Sequence, residues 1–244
     1  MRVLLGSGGY RTPERIAFLQ AQMRSFFGPA DHLLFIPYAL ADHDAYVEAM
    51  RSRGLDAGYP LDGIHRHADP VAALEEAPAV FVGGGNTFRL LAELYRLNLL
   101  DVLRRRVRAG MPYLGVSAGT NVACPTIQTT NDMPITWPPS LEALGLVPFQ
   151  VNAHYYVGQN YVKHGHEYVE HFGETRDERL REFHEMNATP VVGLMEGGSL
   201  WCEAGAIHLA GAPARIFRRG LPPEDVIPGQ EIAEMLRQGD TVTR

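Results

Sequence analysis

Apolar runs of strand length alternate with amphipathic stretches from the first residue onward, the order expected of βα units on a mainly parallel sheet. Met1 to Leu5 is the first such run, and Thr12-Pro13-Glu14-Arg15 opens a helix with a cap, a proline and an early acid. Leu33 to Pro37 reads as a strand, Asp42 to Arg53 as a helix closed by Gly54, Ile64 to His67 as a short strand and Asp69 to Ala77 as a helix. Ala79 to Val82 is a buried strand ending in Gly83-Gly84-Gly85-Asn86, followed by helices over Thr87 to Leu97 and Leu99 to Ala109 and a strand over Pro112 to Val116. Later strands fall at Pro148 to Val151, Val191 to Met195, Leu200 to Glu203, Ala206 to Leu209 and Arg215 to Phe217, with a helix from Asp177 to about Asn187. The closing short strands, joined by Ala204-Gly205, predict an antiparallel edge. Tyr155 to Gly173 is polar, rich in His and Tyr, and reads as a long irregular loop of the kind that forms lids.

No repeat, low-complexity tract or linker divides the chain, so one α/β domain over residues 1 to 244 is the simplest organisation. The composition, 45% hydrophobic and 20% charged, is that of a globular protein, and the net charge of −6 argues against a nucleic-acid-binding surface. The basic cluster Arg104, Arg105, Arg106 and Arg108 follows helical spacing and reads as a solvated helix face. No run approaches the ~18 to 20 apolar residues of a membrane span, and no signal peptide precedes the first strand, so a cytoplasmic protein is expected. Cys124 and Cys202 read as reduced, buried thiols.

Candidate chemistry centres on Gly115-Val116-Ser117-Ala118-Gly119, a G-x-S-x-G pattern at the end of an apolar run. In a nucleophile elbow the flanking glycines admit a sharp strand-to-helix turn that exposes the serine hydroxyl. Ser117 then needs a base held by an acid. Of ten histidines, His154 is the first candidate because it follows the strand ending at Val151, and α/β sites gather at the carboxyl ends of strands; His65 and His67 also border a strand. Gly83-Gly84-Gly85 and the amide of Ala118 offer oxyanion donors. Neither Gly6-Ser7-Gly8-Gly9 nor the triple glycine completes a dinucleotide or P-loop pattern. His164, His166 and His171 lie near Glu167 and Glu170, but the histidines of HEYVEH are five apart, about 140° around a helix, and a metal site is not expected there.

The runs GVSAGTNVACPTIQTTNDMPI (Gly115 to Ile135) and FVGGGNTFRLL (Phe81 to Leu91) resemble the peptidase E family of aspartyl dipeptidases, serine peptidases grouped with cyanophycinase. The likeness extends through IHRHADP (Ile64 to Pro70), VNAH (Val151 to His154), GETRDER (Gly173 to Arg179) and GLMEGG (Gly193 to Gly198), several motifs in order over most of the chain. It implies a three-layer α/β/α fold of the class I glutamine-amidotransferase, flavodoxin-like type rather than an α/β-hydrolase. It also implies hydrolysis of dipeptides that begin with aspartate, with no metal or organic cofactor. The expected partner is a small Asp-X peptide, with neither nucleic acid nor membrane; a homodimer is compatible with the sequence.

By matching positions, Ser117 is the nucleophile, His154 the base and later acid, and the amides of Gly84 or Gly85 and of Ala118 hold the oxyanion. Two acids compete for the third place. Asp132 matches the acid assigned in the dipeptidases; Glu196 matches the orienting acid of the cyanophycinase-like relatives and follows the strand Val191 to Met195, on the sheet edge expected for Ser117 and His154. Arg176 sits where the family's aspartate-binding cation is expected, Asn86 is a further candidate substrate-binding residue, and Asp132 is an alternative acceptor for the substrate amine. Between His154 and Gly173 the chain is longer than in the dipeptidases it resembles. A cyanophycinase-like exopeptidase acting on β-linked Asp-Arg and a non-catalytic binding protein on the same fold are the competing readings.

Overall fold

A computed structural model describes residues 1–237. The first half builds β1 (Arg2–Gly6), α1 (Pro13–Phe27), β2 (Leu33–Ile36), α2 (His43–Ser52), β3 (Leu61–Gly63), α3 (Pro70–Glu76), β4 (Val80–Val82), α4 (Thr87–Arg96), α5 (Leu99–Arg108), β5 (Tyr113–Val116) and α6 (Ala118–Ala123). The second half builds β6 (Gln150–Tyr155), β7 (Asn160–His164), β8 (Glu167–His171), α7 (Arg176–Met186), β9 (Val191–Met195), β10 (Ser199–Glu203), β11 (Ala206–Ala210), β12 (Ala214–Phe217), β13 (Glu224–Val226) and α8 (Ala233–Arg237). The main sheet has seven strands in the order β11-β10-β1-β5-β4-β2-β3; the five strands from β1 to β3 run parallel, and β10 and β11 form an antiparallel edge. The fold is mixed α/β with a mainly parallel central sheet, as the alternating runs predict.

Alternation along each strand separates two cores. Val3 and Leu5, Leu34 and Ile36, Val80 and Val82, and Tyr113 pack with the apolar faces of α3, α4, α5 and α6. Leu4, Leu33 and Phe35, Phe81 and Leu114 face the other way, against Leu19, Met23, Phe26 and Phe27 of α1 and Val47 and Met50 of α2. The helix starts follow the expected chemistry: Thr12, Asp42 and Asp69 each accept a first-turn backbone amide through the side chain.

Several expectations shift. The strand expected at Ile64 to His67 lies one step earlier, at Leu61–Gly63, and Ile64–Arg66 is a single 3₁₀ turn; the apolar Ile64 that suggested a strand is buried from the turn. β6 and β9 do not extend the main sheet but pair in parallel within a second, four-stranded one, β13-β12-β9-β6, in which β12 and β9 are inner strands and β6 is an edge. The segment read as an irregular loop contains the β7–β8 hairpin, closed by Gly165-His166 with Gly165 at φ 62°. Nearly every hairpin side chain is exposed, so no alternation of burial marked its strands. Two arginines of α5 are tethers, Arg104 donating to the carbonyls of Ala143 and Leu144 and Arg106 to Ala77 O, while Arg105, paired with Glu75, and Arg108 lie on the exposed face. Cys124 and Cys202 are buried free thiols whose pKa burial pushes up to about 12. Among the described residues no helix is long and apolar enough to cross a membrane.

Candidate active site

β5 ends at Val116, and Ser117 takes φ 55°, ψ −110° before α6 begins. An L-residue enters that region only when its surroundings compel it. Here Ser117 N donates to Gly6 O at 2.9 Å, the Ser117 carbonyl accepts from Thr120 and Asn121, and Thr120 Oγ1 bridges Gly6 O and Gly115 O. A Cβ on Gly119 would lie 2.2 Å from Val82 O, and one on Gly115 2.4 Å from Gly119 O. Both glycines of G-x-S-x-G are therefore demanded by the close seat of α6 on β4 and β5.

His154 lies within β6, not after it. Ala153 pairs with Leu194 and Tyr155 with Met195, so His154 is the extra residue of a β-bulge, at φ 55°. Its amide, displaced from the ladder, donates to Ser7 Oγ at 2.9 Å, and that hydroxyl donates to Leu194 O at 2.8 Å. Fully buried Ser7, at the end of β1, thus bolts the bulge to the main sheet. The ring reaches Ser117 Oγ with Nε2 at 2.9 Å and faces Glu196 Oε1 with Nδ1 at 3.2 Å. With its proton on Nδ1, donated to Glu196, the imidazole presents Nε2 as the acceptor that a serine hydroxyl needs in order to become a nucleophile.

Glu196 follows β9, and its second oxygen takes Arg15 Nη1 at 3.2 Å; the same nitrogen donates to Gly9 O at 3.2 Å. The side chains of His154, Glu196 and Arg15 are 40%, 49% and 41% exposed, so burial does not hold them and close local contacts must. The β1–α1 loop supplies it. A Cβ on Gly8, at φ 112°, would sit 2.7 Å from His154 Cε1, and one on Gly9, at φ 73°, 2.7 Å from Glu196 Oε2. Ser7, Gly8, Gly9 and Arg15 are functional neighbours that sequence reasoning missed. Their one visible signal was the run Gly6-Ser7-Gly8-Gly9, which fitted no phosphate-binding pattern.

The other acid is held elsewhere. Asp132 Oδ2 accepts from Thr87 N at 2.8 Å, Thr87 Oγ1 at 2.5 Å and Thr130 Oγ1 at 3.2 Å, at the first turn of α4. Asn86 caps α4 through Arg89 N and donates to Met133 O. Neighbouring Asn131 donates to Ala153 O, which joins this loop to the strand of His154. Arg176 opens α7 behind a capping box of Thr175 and Glu178. Its guanidinium stacks over the Tyr156 ring at 5.3 Å, its buried Nε has no hydrogen-bond partner among the described residues, and burial lowers its pKa.

Gly84 runs beside the nucleophile: a Cβ there would lie 3.0 Å from Ser117 Cβ. The buried Tyr46 hydroxyl lies beside it, its pKa pushed by burial up to about 12. Ser117, His154, Gly84 and Gly85 all line one cavity of about 370 Å³.

The model of Peptidase family S51 matches residues 3–210. The chain belongs to peptidase family S51. It is a serine-type peptidase. Its S51 relatives include Peptidase E of Streptomyces coelicolor, 50% identical with 90% of this chain and 89% of the relative covered, and the "Probable alpha-aspartyl dipeptidase" of Drosophila melanogaster, 42% identical over 97% of each. A solved peptidase from an acI-B1 Actinobacterium shares the fold, with a TM-score of 0.66 and 16% identity over 95% of this chain and 96% of that one.

Proposed function

We propose that this S51 peptidase hydrolyses dipeptides with an N-terminal aspartate. The observation that carries the reading is Arg176: a half-buried guanidinium without a carboxylate partner among the described residues, stacked on a tyrosine two positions after His154. A planar cation in that state suits a substrate carboxylate, which it can grip through two hydrogen bonds. The name of the Drosophila relative points the same way.

In this reading Ser117 Oγ attacks the aspartyl carbonyl while its proton passes to His154 Nε2, and Glu196 holds the imidazolium through Nδ1. The amides of Gly84 or Gly85 and of Ala118 receive the oxyanion. The tetrahedral intermediate collapses, His154 returns the proton to the leaving nitrogen, and the free amino acid departs. Water then attacks the aspartyl ester through the same base, releasing aspartate and restoring Ser117. Asp132, on the loop tied to the His154 strand, and Asn86, at the start of α4, accept the substrate amine, Asp132 through Oδ1, since Thr87 and Thr130 engage Oδ2.

A panel of Asp-Leu, Asn-Leu and Leu-Leu tests this directly. Asp-Leu is expected to turn over at least ~100-fold faster by kcat/KM, and Arg176→Ala is expected to remove most of that margin, chiefly through KM. Equal cleavage of all three by the wild type, or unchanged selectivity in the variant, would be fatal to the reading.

A further inference from the structure

The cavity that holds Ser117 and His154 continues well beyond them. Past Gly8 and Gly9 its wall is the buried, apolar trio Met50, Leu55 and Phe81, and two arginines, Arg11 and Arg53, stand at its exposed mouth. We propose that this cavity seats the residue leaving the scissile bond, taking an apolar side chain against Met50, Leu55 and Phe81 and a free α-carboxylate between Arg53 and Arg11. The inference rests on the dipeptidase reading and specifies the second half of its substrate.

Direction comes from the chemistry of the histidine. The proton for the departing nitrogen comes from His154 Nε2, so the leaving residue must lie on the imidazole's side of the nucleophile. Gly8, which backs that imidazole closely enough that a Cβ would touch Cε1, is part of the cavity wall. Arg176 and Tyr156 do not line it.

Charge supplies the second argument. Arg53 makes one hydrogen bond, from Nη2 to Tyr10 O at 3.0 Å, and neither Arg53 nor Arg11 pairs with a carboxylate among the described residues. Arg53 is close enough to Tyr46 for its charge to oppose the rise in that hydroxyl's pKa, and the hydroxyl in turn lies beside Gly84. Two uncompensated cations thus flank an apolar chamber beside the nucleophile, in a protein whose net charge is −6. An amino acid with an ionised carboxylate and an apolar side chain matches both features. A longer peptide would bring a neutral amide to the arginines instead, which makes the pair a reader of chain length.

The test compares Asp-Leu with Asp-leucinamide, which differ only in the terminal charge. For the wild type kcat/KM should favour the acid by about 30-fold, as expected for hydrogen bonds to a charged group. In Arg11→Ala/Arg53→Gln, where glutamine keeps much of the stem, that ratio should fall close to one through loss on the acid alone. Arg176→Ala should leave the ratio unchanged while lowering both rates. Equal wild-type rates on acid and amide, or a double variant that lowers both substrates equally, would overturn the clamp and leave the dipeptidase reading intact. If Asp-Leu is inert but another dipeptide is cleaved, the same acid-to-amide comparison on that dipeptide decides the clamp by itself. No turnover of any dipeptide overturns the underlying reading, and the clamp with it.

Discussion

Replacing Ser117 by alanine is expected to lower kcat on Asp-Leu by about 10⁶-fold, the scale seen when a serine peptidase loses its nucleophile. The unfolding temperature should stay within about 3 °C of the wild type. The second half of that expectation follows from the local geometry. The strained turn at φ 55° is maintained by the Ser117 backbone bonds to Gly6, Thr120 and Asn121 and by Thr120 Oγ1, none of which involves the Ser117 hydroxyl. That hydroxyl has His154 as its hydrogen-bond partner, so alanine removes the reacting atom and leaves the turn in place. Steady-state kinetics beside a thermal melt checks both halves. Retention of more than about 1% of wild-type turnover would exclude Ser117 from the mechanism.

The elements that position the nucleophile were legible because each is a local pattern. The apolar run before Gly115, the glycines around Ser117 and the cap at Thr12 each state a backbone requirement within a few residues. What escaped the sequence depends on distant partners. That β6 and β9 pair with each other, away from the main sheet, is decided by contacts across some forty residues, and the bulge that turns His154 toward Ser117 is visible only in their register. The hairpin of β7 and β8 escaped for a different reason: with both faces in solvent, its strands lack the alternation that marks a half-buried sheet. Ser7 and Arg15 were invisible because each works on a residue more than 140 positions away.

Those distant contacts shape how the site is held. In many serine peptidases burial immobilises the acid behind the histidine. Here Glu196 is half in solvent, and an exposed ion pair is worth only about 0 to 1 kcal/mol. Its position rests on several weak restraints acting together: Arg15 on Oε2, the tight approach of Gly9, and the bond from Gly197 N to Gly8 O that draws the β9 turn onto the β1–α1 loop. Such an arrangement keeps the acid ordered without enclosing it, and it makes the β1–α1 loop as much a part of the site as the elbow.

Glu196→Gln is accordingly expected to lower kcat by about 10³- to 10⁴-fold with little change in KM, because a glutamine side chain cannot stabilise the imidazolium that forms as Ser117 loses its proton. Asp132→Asn should behave differently. One oxygen of its carboxylate accepts from Thr87 and Thr130 at the start of α4, so the variant should lose about 1 kcal/mol of stability and raise KM, with kcat falling by no more than about tenfold. Arg15→Ala removes one of the restraints on Glu196 and should cost about tenfold in kcat, with KM unchanged and Arg15→Lys restoring part of the loss. If Arg15 works through Glu196, adding Arg15→Ala to Glu196→Gln should cost nothing further, since residues that act as one unit are not additive. A larger kcat loss at Asp132 than at Glu196 would transfer the orienting role to Asp132, and a full additional tenfold loss in the double variant would separate Arg15 from the acid it touches.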